Sequence, residues 1–432
     1  MAQTAQSPCA ARHRMFKRIS VQHLTTGMYI YEMCGPWISH PFWRSAFLLT
    51  EASDLQRLRK SKVTEVWIDP ARGKDIGADV PCVVWDPQQT PGKERAQAAG
   101  AKPTARPLAA IDTTATTLGK ELHSARALCE QSREAMLDMF NEARMGRAIS
   151  MEMAETLVNE ITGSVLRNPD ALLSVARLKT ADNYTYMHSV AVSGLMVALA
   201  RKLGHDDTAI RRAGMAGLLH DLGKAHMSPA ILNKPGRLTD EEFAHMKGHP
   251  RASYELLRGS SDMDATVLDA CLHHHERLDG KGYPDGLGGD DISLLARMTA
   301  ICDVYDAITS DRPYKKGWTP PESLRRMAEW TGGHLDKRLF ETFVKTVGIY
   351  PVGSLVRLRS ERLAVVSEPS AKSLTAPRVV VFYCTQSQRT LSPQLIDLSQ
   401  PGQDRIVGQE DPGAWPFTNL ESLWHKGAAA TA

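Results

Sequence analysis

The stretch Gly217-Leu-Leu-His-Asp-Leu-Gly-Lys224 places an imidazole and a carboxylate side by side inside an apolar run. Burying His220, Asp221 and Lys224 among leucines costs free energy unless partners compensate their polarity. A divalent cation would compensate them, and imidazole with carboxylate suits iron, manganese or zinc better than softer ions. A single His-Asp pair is weak evidence, because such dipeptides are common at surfaces and helix caps. We therefore expect the remaining ligands elsewhere in the chain.

Further candidate ligands lie in residues 174–347, a segment whose periodicity predicts an almost wholly α-helical domain. They are His188, His249, His274, His275 and Asp303. His273 precedes the last two histidines, and successive helical positions differ by about 100°, so one of the three should point away from the others. The remaining histidines of this region are expected to be ordinary surface or core residues: His205, His226, His245 and His334.

Five imidazoles and two carboxylates are more protein ligands than one ion can use while keeping an open coordination site. Two ions can share them. We expect Asp221 to bridge the two ions, because a carboxylate offers one oxygen to each. His188, His220 and Asp303 would complete one ion, and His249, His274 and His275 the other. Such a site activates water for attack on phosphorus, and Lys224 could face the phosphate.

The bulk composition indicates a globular protein without an unusual charge. The chain has 432 residues, a formal net charge of +3, 42% hydrophobic and 23% charged residues, so nothing demands a nucleic acid or membrane partner. No apolar run is long enough to span a bilayer, and the N-terminus lacks the apolar core of a secretory signal. Scattered cysteines agree with a reducing compartment, so a cytoplasmic location is expected.

The sequence predicts a multidomain α+β protein. A small mixed α/β domain is followed by a Pro- and Ala-rich flexible linker, a helical connector, the all-α domain and a small β-rich C-terminal appendage. Their predicted ranges are 16–85, 86–117, 118–173, 174–347 and 348–432. The apolar stripes of the connector could pack on the next domain or on a second copy of the chain, and the second case gives a homodimer through helices 118–166.

The order and spacing of these motifs resemble the HD-GYP family, a branch of the HD-domain phosphohydrolases. The resemblance covers roughly 180–347 and rests on the His-Asp motif, His249-Pro, the stretch from His274 to Gly282-Tyr283-Pro284, and the stretch from Asp303 to Lys315. The N-terminal unit also resembles the small domain of unknown function that often precedes HD-GYP domains.

The resemblance implies a cyclic di-GMP phosphodiesterase with two iron or manganese ions held by the seven candidate ligands. It implies a substrate side made of Lys224, the Gly282-Tyr283-Pro284 loop, Asp306, Arg312 and Lys315. Arginine and lysine suit a phosphate, and a tyrosine ring can face a guanine. Family members with a carboxylate one turn before the first histidine hold a third metal; Tyr184 occupies that position here, so two are expected.

The expected reaction yields the linear dinucleotide pGpG, with GMP as a further product. One alternative is a catalytically silent cyclic dinucleotide sensor that acts through a protein partner at the Gly282-Tyr283-Pro284 loop. Another is a hydrolase of a different cyclic dinucleotide. The complete set of candidate ligands favours an enzyme over a sensor. Ligand chemistry does not distinguish iron from manganese.

Overall fold

The structure is a computed structural model. It describes residues 16–33, 47–61, 63–77, 80–85, 111–177, 184–232, 234, 236–260, 263–311, 316–370, 372–417 and 420–423. The chain divides into two compact units, Met1–Pro107 and Leu108–Ala432. Most of the predicted linker lies outside the described residues.

Within the described residues, the first unit is a five-stranded antiparallel sheet with one α-helix. The elements are β1 (Phe16–Ser20), β2 (Tyr29–Met33), β3 (Phe47–Leu48), α1 (Ala52–Lys60), β4 (Glu65–Ile68) and β5 (Val83–Trp85), in the sheet order β3-β2-β4-β1-β5. Arg59 of α1 donates from Nη2 to the carbonyls of Gln22 and Leu24 at 3.1 and 3.0 Å. Ile19, Ile30 and other apolar side chains are buried in its core.

The described part of the second unit begins with twelve helices. They are α2 (Leu118–Arg144), α3 (Met151–Arg167), α4 (Pro169–Ala176), α5 (Tyr184–Lys202), α6 (Asp207–Leu219), α7 (Pro229–Leu232), α8 (Asp240–Met246), α9 (His249–Leu257), α10 (Ala265–His273), α11 (Leu294–Thr309), α12 (Pro320–Glu329) and α13 (Lys337–Val347). Helices α2 and α3 contribute to the same apolar core as the later helices. Of the two alternatives for their apolar faces, packing on the following domain is therefore the one observed within the chain.

Helix α5 is the centre of this unit, because its residues from Met187 to Ala200 are all buried. Helix α6 packs closely on it. A Cβ atom at Gly217 would lie 2.8 Å from the Cα of Ser193, so only glycine permits this approach. The close contact brings the end of α6 next to the start of α5.

The chain ends in a second antiparallel sheet. Its strands are β6 (Leu355–Leu358), β7 (Arg362–Glu368), β8 (Arg378–Cys384), β9 (Arg389–Asp397) and β10 (Ile406–Gln409), in the order β10-β6-β7-β8-β9. Alternate residues of β7 face opposite sides: Leu363 and Val365 join the helical core, whereas Ala364 and Val366 join a separate one.

The predicted fold class is confirmed by these elements, a small mixed α/β unit, a helical body and a β-rich end. A capping box of Thr239 and Glu242 begins α8, since each side chain meets the backbone N–H of the other residue. Among the described residues, no helix combines the length and the apolarity needed to cross a bilayer.

Candidate metal centre

The seven candidate ligands converge from five separate elements, although they are spread over more than a hundred residues of sequence. Most of them stand at helix ends, where the chain changes direction. His188 lies in the first turns of α5, His220 and Asp221 follow α6, His249 begins α9, His274 and His275 follow α10, and Asp303 lies within α11. Six of them are buried, with at most 7% of the residue exposed, and His275 is partly buried.

The nitrogen and oxygen atoms of these side chains form three groups with the spacing of metal ligands, and within each group the ligand atoms lie within 4.8 Å of one another. Two groups share no residue: His188, His220 and Asp303 form one, and His249, His274 and His275 form the other. The third group, His220, Asp221 and His274, joins them. The first two groups are the sets that the sequence analysis assigned to separate ions.

Asp221 stands between the two groups and turns one oxygen to each. Its Oδ2 lies 3.4 Å from the Nε2 atoms of both His188 and His220. Its Oδ1 lies 3.2 Å from Nε2 of His249 and 4.0 Å from Nε2 of His274. A carboxylate that bridges two ions requires this arrangement.

The backbone orients three of the imidazole rings. Nδ1 of His220 lies 2.8 Å from the Gly217 carbonyl, Nδ1 of His249 lies 2.7 Å from the Met246 carbonyl, and Nδ1 of His274 lies 2.9 Å from the Cys271 carbonyl. A carbonyl only accepts, so each Nδ1 carries the proton and donates it. Nε2 then faces the centre with its lone pair, as in metal-ligating histidines.

Two atoms of the centre are buried without a hydrogen bond from any described residue: Nε2 of His220 and Oδ1 of Asp221. Leaving a buried polar atom unpaired costs about 1–3 kcal/mol, and more for a charged group. A cation between the side chains would remove this cost at both atoms. The residues present therefore fit a divalent metal.

The surroundings of Asp221 and His275 favour the protonation states that bind metal. Burial raises the pKa of Asp221, but Lys224 and His220 outweigh it and hold this pKa well below its usual value. Burial and the His249 ring lower the pKa of His275 to about 3, so its imidazole is neutral at pH 7. His220 differs: burial lowers its pKa, but the carboxylates of Asp221 and Asp303 outweigh this and raise it to about 8.

Lys224 and the Gly-rich loop flank the ligands. Nζ of Lys224 lies 2.5 Å from Oδ2 of Asp221, so its ammonium meets the central carboxylate itself. The ring of Tyr283 lies 4.8 Å from that of His275, with 34° between the planes. A Cβ atom at Gly282 would lie 2.5 Å from the Cα of Glu276, so the loop folds tightly onto the segment that carries the ligands.

Asp306 differs from the expectation for it. The family resemblance placed it on the substrate side, but its residue is 3% exposed and its Oδ2 lies 2.6 Å from Nδ1 of His188. Asp303 Oδ1 lies 3.0 Å from Nε2 of the same ring. Asp306 therefore orients the ring of the candidate ligand His188 through Nδ1, the ring nitrogen on the other side from Asp303. Arg312, Lys315 and the side chain of Tyr184 lie outside the described residues.

Glu276 is a residue that the sequence analysis missed. It is 2% exposed, and its Oε1 accepts from the backbone N–H groups of Asp285 and Gly286 at 2.7 and 3.0 Å. It thereby holds the far side of the Gly-Tyr-Pro loop. As expected for one of three consecutive histidines, His273 points away: its ring nitrogens lie 2.7 Å from Asp269 and 3.1 Å from Asp285.

Comparison with known protein families gives two matches. Residues 16–154 match a family described as a domain of unknown function (DUF3391), and residues 167–339 match the HD domain.

One curated relative matches the chain over nearly its whole length, and others match about half of it or less. A cyclic di-GMP phosphodiesterase of Pseudomonas aeruginosa is 52% identical over 412 residues, which are 95% of this chain and 96% of that protein. The cyclic di-GMP phosphodiesterase response regulator RpfG of Xanthomonas campestris is 37% identical over 51% of this chain and 58% of its own. A 3'3'-cGAMP-specific phosphodiesterase of Vibrio cholerae is 35% identical over 40% of this chain and 41% of its own.

Proposed function

Since this chain belongs to the HD-GYP branch of the HD-domain phosphohydrolases, we propose that it hydrolyses cyclic di-GMP to the linear dinucleotide pGpG, with GMP as a further product. The position of Asp221, with one oxygen toward each group of histidines, is the observation that carries the hydrolytic mechanism. The relative that is 52% identical over nearly the whole chain is named for this activity, which supports the choice of substrate.

Two divalent ions, iron or manganese, would be held by the two ligand groups, with Asp221 shared between them. Such ions act as Lewis acids on a phosphodiester and lower the pKa of water at neutral pH. Imidazole and carboxylate ligands accept either metal. Asp306 would hold the His188 ring at Nδ1 and fix its direction, which leaves Nε2 of His188 and the neighbouring Asp303 carboxylate for the same ion.

The residues around the ligands would bind and orient the dinucleotide. Lys224 contacts Asp221 and is partly exposed, with 21% of its side chain accessible, so its ammonium can also reach a phosphate oxygen. Tyr283 presents a ring beside His275, where a base could stack. Arg312 and Lys315 remain proposed phosphate contacts on the strength of the family resemblance and of their charge.

Incubation of the metal-loaded protein with a panel of cyclic dinucleotides tests this proposal. Chromatography of the products should show pGpG from cyclic di-GMP, with any GMP appearing later. The Asp221→Ala variant should give no product, because the carboxylate shared by the two groups is lost. Turnover by a metal-free Asp221→Ala protein would contradict the mechanism.

A second candidate substrate is 3'3'-cGAMP, because a relative that is 35% identical over 179 residues is named for it. The same panel separates the two substrates by the rates at which they are consumed. A sensor without activity would bind a cyclic dinucleotide and release no product. The convergence of the complete ligand set favours an enzyme over this last alternative.

We also propose two kinds of partner, a second copy of the chain and a protein that docks on the Gly-Tyr-Pro loop. A homodimer through helices 118–166 would have to use their outward faces, because residues such as Leu122 and Ile161 are buried within the chain; light scattering measures the mass. A protein partner could dock on the Gly282-Tyr283-Pro284 loop, whose residues are partly exposed. Substitutions confined to that loop should weaken such a complex.

A further inference from the structure

A cavity of about 390 Å³ lies next to the Gly-rich loop and is not lined by any of the candidate metal ligands. It forms where the turn after α12 meets the segment after His275. Asp279 donates its backbone N–H to the Gly333 carbonyl at 2.8 Å. The volume lies in the range of about 300–1,000 Å³ that is typical of small-molecule sites. The lining residues are Arg277, Glu329, Trp330, Thr331, Gly333 and His334.

The cavity borders the region of the metal centre. Arg277 follows the candidate ligand His275 by two residues, so their Cα atoms are at most about 7 Å apart. His334 is also within electrostatic reach of the centre. Burial and the Arg277 charge lower the pKa of His334, while Asp279 and the candidate ligand Asp303 act in the opposite direction.

The walls offer flat rings together with fixed hydrogen-bonding groups. The Trp330 and His334 rings lie 6.2 Å apart with 34° between their planes. Asp279 holds the Arg277 guanidinium through Nε at 3.0 Å and Nη2 at 2.8 Å. The Glu329 carboxylate accepts from Arg325 at 2.7 Å, and 56% of its side chain remains exposed.

This combination suits guanine better than adenine. A guanidinium donates well to the O6 and N7 acceptors of guanine. A carboxylate accepts from the N1–H and N2–H groups on the Watson–Crick edge of guanine, whereas adenine presents an acceptor at N1. Aromatic side chains stack on either base. The carboxylate of Glu329 is therefore the group that distinguishes the two bases.

We propose that this cavity binds one guanine base of the cyclic dinucleotide, with Trp330 stacking on the base and Glu329 accepting from its Watson–Crick edge. The inference rests on the proposed function, because it takes cyclic di-GMP as the substrate. Arg277 would add a donor to the opposite edge of the base.

Steady-state kinetics of two pocket variants test the proposal. The substrates are cyclic di-GMP and bis(p-nitrophenyl) phosphate, a phosphodiester without a base. In Trp330→Ala and Glu329→Gln, KM for cyclic di-GMP should rise about tenfold relative to KM for the base-free diester, as expected for the loss of a base contact. Glu341→Gln is the matched control, because Glu341 is an exposed acid on α13, and it should behave as the unmodified protein.

The possible outcomes distinguish failure of the proposed function from failure of the guanine-site inference. If the unmodified protein cleaves the base-free diester but not cyclic di-GMP, the proposed function fails. If it cleaves both and neither variant changes the ratio of KM values, the inference is overturned. If Trp330→Ala disturbs folding, Glu329→Gln decides alone: a rise confined to cyclic di-GMP supports the guanine site, and an equal change for both substrates overturns it.

Discussion

Replacing Glu276 by alanine should release the Gly-Tyr-Pro loop from the body of the protein. The carboxylate accepts two backbone N–H groups, from Asp285 at 2.7 Å and from Gly286 at 3.0 Å. Hydrogen bonds to a charged group contribute about 1.5–3 kcal/mol each. Asp285 and Gly286 are themselves exposed, so water partly replaces the lost acceptor and the lower value applies. The two bonds together then stabilise the closed loop by about 3 kcal/mol.

Loss of this free energy in Glu276→Ala should make the equilibrium constant for opening of the loop about 100-fold larger, because each 1.4 kcal/mol is a factor of ten. Hydrogen exchange at the amides of Asp285 and Gly286 should therefore accelerate by about that factor. KM for cyclic di-GMP should rise with it, because Tyr283 belongs to the same loop. Glu276→Gln keeps one acceptor oxygen, so its exchange rates and its KM should lie between those of the unmodified protein and those of Glu276→Ala.

The control for this experiment is Glu341→Ala, which removes an exposed carboxylate from α13. Its exchange rates and its KM should match those of the unmodified protein. Metal content should be measured for every variant, so that an effect on the loop is separated from loss of the adjacent ligand His275. If hydrogen exchange at these amides in Glu276→Ala stays within about threefold of the unmodified protein, Glu276 does not hold the loop closed. A loop held by two hydrogen bonds to a charged group must open more often when both are lost.

Three further predictions concern stability and metal binding. Gly223→Ala would place a Cβ atom 2.1 Å from the His249 carbonyl oxygen, so the free energy of unfolding measured with urea should fall by about 1–3 kcal/mol or more. Glu121→Ala would remove the carboxylate whose oxygens lie 2.8 Å from Nε and Nη2 of Arg167. The free energy of unfolding measured with urea should fall by about 3 kcal/mol. An unchanged midpoint would contradict a structural role for this pair. In the metal-free protein the pKa of His220 is raised to about 8, so its imidazolium must lose a proton to bind metal. Metal-bound water can release a proton as well, so calorimetry in buffers of different ionisation enthalpy should find nearly one proton more released by His220 at pH 7 than at pH 9. Equal release at both pH values would exclude His220 as the titrating ligand.

The sequence predicted the fold class and the family because both depend on local patterns. Alternating strands, helical periodicity and the spacing of His220, Asp221 and the Gly-rich loop are all read from neighbouring positions. The fold class is confirmed by the elements observed, and the family by the relatives. The expectation of two ions also follows from the sequence, because counting ligands against the capacity of one ion requires only their identities.

Other features that depend on the direction of a side chain could not be predicted from the sequence, although the outward direction of one of the three consecutive histidines could. Asp303 and Asp306 are three residues apart, so the sequence places both on one helix face. It does not show that they lie on opposite nitrogens of the same His188 ring. Glu276 reads as one more acidic residue in a polar loop, and only the folded loop brings the two amides to its oxygen.

The central claim is that two ions share Asp221 in one buried centre, and metal analysis of protein purified without air tests it most directly. We expect about two iron or manganese ions per chain in the unmodified protein and the loss of both in Asp221→Ala. Circular dichroism should show the same helical content for that variant as for the unmodified protein. One ion or three per chain, or an Asp221→Ala protein that retains two ions, would contradict it.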